Sequence, residues 1–113
     1  MGKIEKYRAV IKKVLNRHIG GHTAPMDEYE TQIVTDDANG HYFLYGVGWE
    51  GLRRVHGCTL HLDLKGDKIW IQQDWTEDGV ANDLEKEGVP KSDIVLAFQA
   101  PYRRVYMKEY AAG

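Results

Sequence analysis

Residues 53 to 63 read RRVHGCTLHLD and gather Arg53, Arg54, His56, the only cysteine (Cys58), His61 and Asp63 into one short run. Imidazole, thiolate and carboxylate are the ligand types of zinc, and a thiol two positions from a histidine is a candidate nucleophile. Alternation along an extended strand sends His56 and Cys58 to one face and His61 and Asp63 to the other. Four ligands cannot converge from opposite faces, so the expectation is no metal. Alignment of Cys58 with Leu60 and Leu62 makes it a buried, inert thiol, because activation needs an electropositive and accessible setting. Ser92, the one serine, has no nearby histidine, and no glycine-rich phosphate loop follows a strand and opens a helix. Asp74, Glu77 and Asp78 could hold a divalent cation, but they serve more simply as the capping and solvated acids of a helix. No catalytic residue and no cofactor are assigned, and the chain is read as not an enzyme.

The whole chain bounds these readings. Its 113 residues, 42% hydrophobic and 28% charged, suit one globular domain over 1–113. No apolar run reaches the length of a membrane span, and the start MGKIEKYRAV lacks the apolar core of a signal peptide. A single cysteine excludes an internal disulfide framework; a cytoplasmic location follows as the expectation. Net charge of −2 and a pI near 6.2 argue against a protein that coats nucleic acid. The charge is uneven, however. Lys3, Lys6, Arg8, Lys12, Lys13 and Arg17 oppose only Glu5 in the first segment.

Two kinds of periodicity, over three stretches of the chain, position these residues. Over 3–18, Ile4, Tyr7, Val10, Ile11, Val14, Leu15 and His18 recur at helical spacing, and Gly20-Gly21 stops the helix. From Tyr29 the period becomes two. EYETQIVTD, HYFLYGVGW, RVHGCTLHLDL and KIWIQQDW read as four strands, joined at DANG, at Glu50-Gly51 and at Lys65-Gly66. The last turn pairs Leu64 with Asp67, Leu62 with Ile69 and Leu60 with Ile71, which gives one apolar face. After Trp75, Thr76 is the expected N-cap of a second helix ending at Gly88 and Pro90, and DIVLAF is a final short strand. The fold class is α+β: an N-terminal helix, a four-stranded antiparallel meander, a second helix and a final short strand.

With Glu50-Gly51 as the turn, Trp49 faces Leu52, Val47 faces Arg54, Tyr45 faces His56 and Phe43 faces Cys58. Arg54 and His56 then point to the apolar side, where an unpaired guanidinium is costly; a three-residue loop with a bulge would change the register and send Arg53 there instead. Gly46 and Gly48 leave a flat strip that another chain or a side chain could approach closely. A twisted hairpin with polar tips is one reading; the other is a partner-binding surface made of Trp49, Arg53, Arg54 and His56 beside that strip. Three tryptophans and seven tyrosines exceed what one small core easily buries. The second sheet face, with Tyr42, Thr59, His61, Trp70 and Gln72, is therefore expected to form a homodimer with Trp70 or Trp49 near its interface.

The run from VGWEGLRRVHGC through KIWIQQDW to EGVPKSDIVLAF, followed by a Pro-aromatic-Arg tail, closely resembles the XisI family, the fdxN element excision controlling factors of cyanobacteria. IEKYRAVIKKVL fits as well, so the resemblance spans nearly the whole chain. It implies a small α+β domain that controls excision of a DNA element during heterocyst differentiation. The cutting belongs to a separate site-specific recombinase, and a companion, XisH, resembles nuclease-fold proteins. It carries no catalytic residues over. The leading expectation is a non-enzymatic accessory factor that contacts an XisH-like partner and DNA only indirectly, with the site-specific recombinase complex as a further candidate partner. Alternatives are a direct DNA-binding directionality factor using Lys6, Lys12, Lys13, Arg17, Arg103 and Arg104, or a small metal-dependent hydrolase or nuclease.

Overall fold

The computed structural model describes residues 2–19, 28–76 and 79–113. Helix α1 (Lys3–Arg17) is followed by strands β1 (Glu28–Asp36), β2 (His41–Glu50), β3 (Arg53–Lys65) and β4 (Lys68–Asp74). Helix α2 (Val80–Lys86), a 3-10 turn (Lys91–Asp93), strand β5 (Ile94–Val95) and a short helix α3 (Pro101–Arg104) complete the order. The sheet order is β1-β2-β3-β4-β5. The first four strands form the expected antiparallel meander, but β5 runs parallel to β4, so the five-stranded sheet is mixed. The glycines that were to end α1 and the acids Glu77 and Asp78 lie outside the described residues.

Helix α1 buries Tyr7, Val10, Ile11, Val14 and Leu15, the stripe its spacing dictates, while Ile4 stays exposed. That stripe and the α2 residues Val80 and Leu84 pack on Tyr42, Leu44, Leu60, Leu62, Ile69 and Ile71 of the sheet. The helices thus cover one sheet face. Tyr42 belongs to this covered face, not to the open one where the sequence reading put it. Its hydroxyl donates to Asp37 at 2.8 Å, and burial, helped by that carboxylate, pushes its pKa up to about 12.

Two bulges decide which side chains reach which face. Leu44 pairs with Leu60 but Tyr45 pairs with Cys58, so Thr59 has no residue opposite. Leu62 pairs with Ile71 but His61 pairs with Gln73, so Gln72 is likewise extra. An extra residue inverts the alternation beyond it. On β3 the first bulge turns Arg54, His56 and Cys58 away from the helices. On β4 the second turns Asp74 toward them. There Asp74 accepts N–H bonds from Thr76 at 2.9 Å and Val80 at 2.7 Å. It therefore caps α2 from outside the helix, replacing the expected Thr76 cap.

Both tight turns sit one residue later than expected, at Gly51-Leu52 and Gly66-Asp67, and both hairpin registers move by two. Leu64 therefore faces Ile69, and Leu62 faces Ile71. A shift of two preserves faces, which is why the apolar set of β3 and β4 remains as read.

Candidate functional site

The β2–β3 hairpin extends past the helices and ends in Leu52, which is fully exposed. Trp49 is paired with Arg54, not with Leu52, and Val47 with His56. The Arg54 guanidinium lies 5.5 Å from the Trp49 ring centroid and donates to the Gly48 carbonyl at 3.3 Å. A planar cation on an indole face is a favourable and orienting contact. Arg53 pairs with Glu50 across the turn. Neither arginine points into the core, so the cost that the sequence reading attached to Arg54 does not arise. The bulge at Thr59 removes it.

Gly46 and Gly48 are used within the chain. A Cβ at Gly46 would collide with the Tyr29 hydroxyl, and one at Gly48, where φ is +144°, with the Glu28 carbonyl. Of the two approaches expected there, a second chain or a side chain, the described residues supply the side chain of Tyr29 at Gly46, with β1 backbone at Gly48. Two grooves flank the hairpin: one of about 490 Å³ runs from Arg53 and Arg54 over Gly57 to Trp75, and one of about 280 Å³ lies between Glu28, Glu30 and Trp49.

Cys58 is half-buried and faces Tyr45, on the face opposite Leu60 and Leu62. Its Sγ donates to the Leu60 carbonyl at 3.3 Å, and burial pushes the thiol pKa up. A raised pKa keeps it protonated at neutral pH, which disfavours nucleophilic chemistry.

His56 and His61 share the open face, because the bulge removes the alternation that was to separate them. The group that converges, however, is His41, His61 and Asp63. His41 Nδ1 and His61 Nε2 each lie 2.8 Å from Asp63 Oδ1, while Gln72 Nε2 donates to Oδ2 at 3.1 Å. Burial pushes the Asp63 carboxyl up, but the two histidines outweigh it and hold it below the usual carboxylate range. Phe43 stacks on His61 with centroids 4.2 Å apart. Sequence reasoning missed His41 because it lies on β2, opposite Asp63. Only the pairing of strands reveals it.

The cationic residues of α1 are largely matched within the chain. Lys12 pairs with Asp37 at 2.8 Å, Lys13 with Glu87 at 2.9 Å, and Arg17 with the same Glu87. The Lys6 ammonium lies near Gly88. Arg104 lies over Trp70, 5.6 Å from its ring centroid, beside the exposed Arg103. Trp70 pairs with Asp63 on the open face, whereas α1 packs on the covered one. The two basic groups therefore do not form one continuous patch.

The geometry defines a class: a two-layer α+β protein whose helices α1 and α2 cover one sheet face and whose aromatic hairpin and much of the opposite face stay open among the described residues. The chain belongs to the XisI family, whose model (XisI protein) matches residues 1–112. A XisI-like protein from Anabaena variabilis ATCC 29413 has a crystal structure that superposes with a TM-score of 0.86 at 39% identity, over 97% of this chain and 99% of that one. The fdxN element excision controlling factor XisI from the same organism superposes at 0.80 and 27% identity, over 99% and 100%. No curated protein matches the chain. Among the described residues no helix is long and apolar enough to cross a membrane.

Proposed function

We propose that this chain is a non-enzymatic accessory factor in the controlled excision of a DNA element, acting by docking a protein partner of the XisH type. Family membership supports the role in excision control. The observation that carries the docking surface is the Trp49–Arg54 couple beside the exposed Leu52. Tryptophan and arginine are the residues most enriched where interfaces hold their energy. His56 continues the surface along β3. Contact with DNA is through the partner, because Lys12, Lys13 and Arg17 are already engaged with carboxylates.

Co-purification with an XisH-type protein tests the reading. Trp49→Ala and Arg54→Glu should abolish capture while far-UV circular dichroism stays unchanged, and Lys13→Glu should leave capture intact. Normal capture by both hairpin variants would overturn the assignment. A gel shift by the isolated chain that weakens steeply with salt would favour the directionality-factor reading instead.

A further inference from the structure

We infer that His41, His61 and Asp63 form a binding site for a first-row divalent transition cation on the open face of the sheet. Three ligand atoms, His41 Nδ1, His61 Nε2 and Asp63 Oδ1, lie within 4.8 Å of one another. Around a bound zinc, with bonds of about 2.0–2.2 Å, such atoms stand roughly 3.3 Å apart. The two nitrogens are each 2.8 Å from the Asp63 oxygen. A small opening of the exposed His41 ring and the half-buried His61 ring therefore makes room for the ion.

The supporting residues are those that a metal site uses. Gln72 donates to the Asp63 oxygen that faces away from the histidines, which fixes the plane of the carboxylate. Phe43 stacks on His61 and sets its ring orientation. Neighbouring groups of this kind orient ligands and raise affinity. The ligands come from the paired strands β2 and β3, so the backbone holds their spacing rigidly. Asp36 is close enough to act electrostatically on His41. With neutral imidazoles, Asp63 and Asp36 supply two negative charges for a dication.

The donor set selects the class of ion. Two imidazoles and one carboxylate suit zinc, cobalt, nickel or ferrous iron, whereas magnesium and calcium prefer all-oxygen shells. Three protein ligands leave at least one further coordination position.

Isothermal titration of the chelator-treated full chain with Zn²⁺ tests the site. The expected result is one saturable equivalent per chain. His41→Ala, His61→Ala and Asp63→Asn should each weaken binding by at least about tenfold, and Gln72→Ala by about tenfold. His18→Ala and His56→Ala, on the other histidines of the described residues, should leave it unchanged. Co²⁺ should add a visible absorption band that His41→Ala removes, while the circular dichroism of that variant, altered at an exposed position, should match the unaltered chain. Absence of saturable uptake, or uptake indifferent to the cluster variants, overturns the proposal.

Discussion

The Tyr7 hydroxyl donates to the Asp93 carboxylate, joining the second turn of α1 to the 3-10 turn 86 residues later. Lys3 reaches the same carboxylate at 2.8 Å. The tyrosine ring is buried, and burial together with Asp93 pushes its pKa upward. This junction fastens the N-terminal helix to the segment that leads into β5. Removing the hydroxyl leaves the ring packing and takes away one hydrogen bond to a charged acceptor. Tyr7→Phe should therefore lower stability by about 1.5–3 kcal/mol, measured by urea denaturation. An unchanged midpoint would mean that the bond contributes nothing.

Acid should destabilise the protein through the carboxylates that fasten α1. Burial pushes Asp93 up, but hydrogen bonds from Lys3 and Tyr7 outweigh it and hold its pKa below the usual value. Hydrogen bonds from Lys13 and Arg17 lower Glu87, and those from Lys12 and Tyr42 lower Asp37. A folded pKa below the unfolded one gives stability that is present above the unfolded value, near 4. That stability is lost as pH falls through the folded value. Tm should hold from pH 7 to about 5 and decline toward pH 3. Asp93→Asn should flatten part of the decline, and an equally steep profile in that variant would remove Asp93 from the explanation.

Asp74 should matter more than its surface position suggests. It satisfies the Thr76 and Val80 N–H groups, and helix N-termini leave such donors without partners inside the helix. Asp74→Ala should cost about 1–2 kcal/mol in thermal or chemical unfolding. Amide exchange at Val80 should quicken in the same variant. Unaltered exchange there would show that another group caps α2.

Cys58 should react slowly with a thiol reagent in the native state and rapidly in denaturant. The half-buried, protonated thiol that donates to Leu60 is the reason. Cys58→Ser should keep partner capture intact. Rapid native labelling combined with loss of capture would return Cys58 to the list of functional groups.

Self-association is expected through the open sheet face, where Val34 and Phe43 pair across β1 and β2 and Trp70 lies toward the other edge. Val34 is 46% exposed. Light scattering at micromolar concentration should return the mass of two chains, and Val34→Glu should return one. A stable two-fold contact needs about 800 Å² from each chain. A single-chain mass for the unaltered protein at every concentration would exclude this contact.

Much of the fold was legible because hydrophobic spacing dictates it. The stripe Tyr7, Val10, Ile11, Val14 and Leu15 fixes α1 and its buried side, and Leu60, Leu62, Ile69 and Ile71 fix the covered sheet face. What spacing cannot reveal is an added residue. Thr59 and Gln72 look like ordinary strand positions, yet each resets the alternation beyond it. The errors of facing at the hairpin tip follow from Thr59, namely the supposed burial of Arg54 and the face assigned to Cys58. His41 escaped for another reason. Its importance comes from a strand it meets only after folding, 22 positions from Asp63.

The bulge at Thr59 makes the identity of the exposed surface a matter of residue number as well as residue type. Leu60, Leu62 and Leu64 anchor one end of β3 to the core, and Gly51-Leu52 closes the other end. Loss of a single residue between them would turn the tip inside out, presenting Arg53 and Val55 where Arg54 and His56 now stand. Substitutions along the hairpin can be absorbed one side chain at a time, whereas an in-frame deletion of one codon exchanges the whole surface. Relatives that keep this exposed face are therefore expected to vary in the letters of the hairpin sooner than in its length.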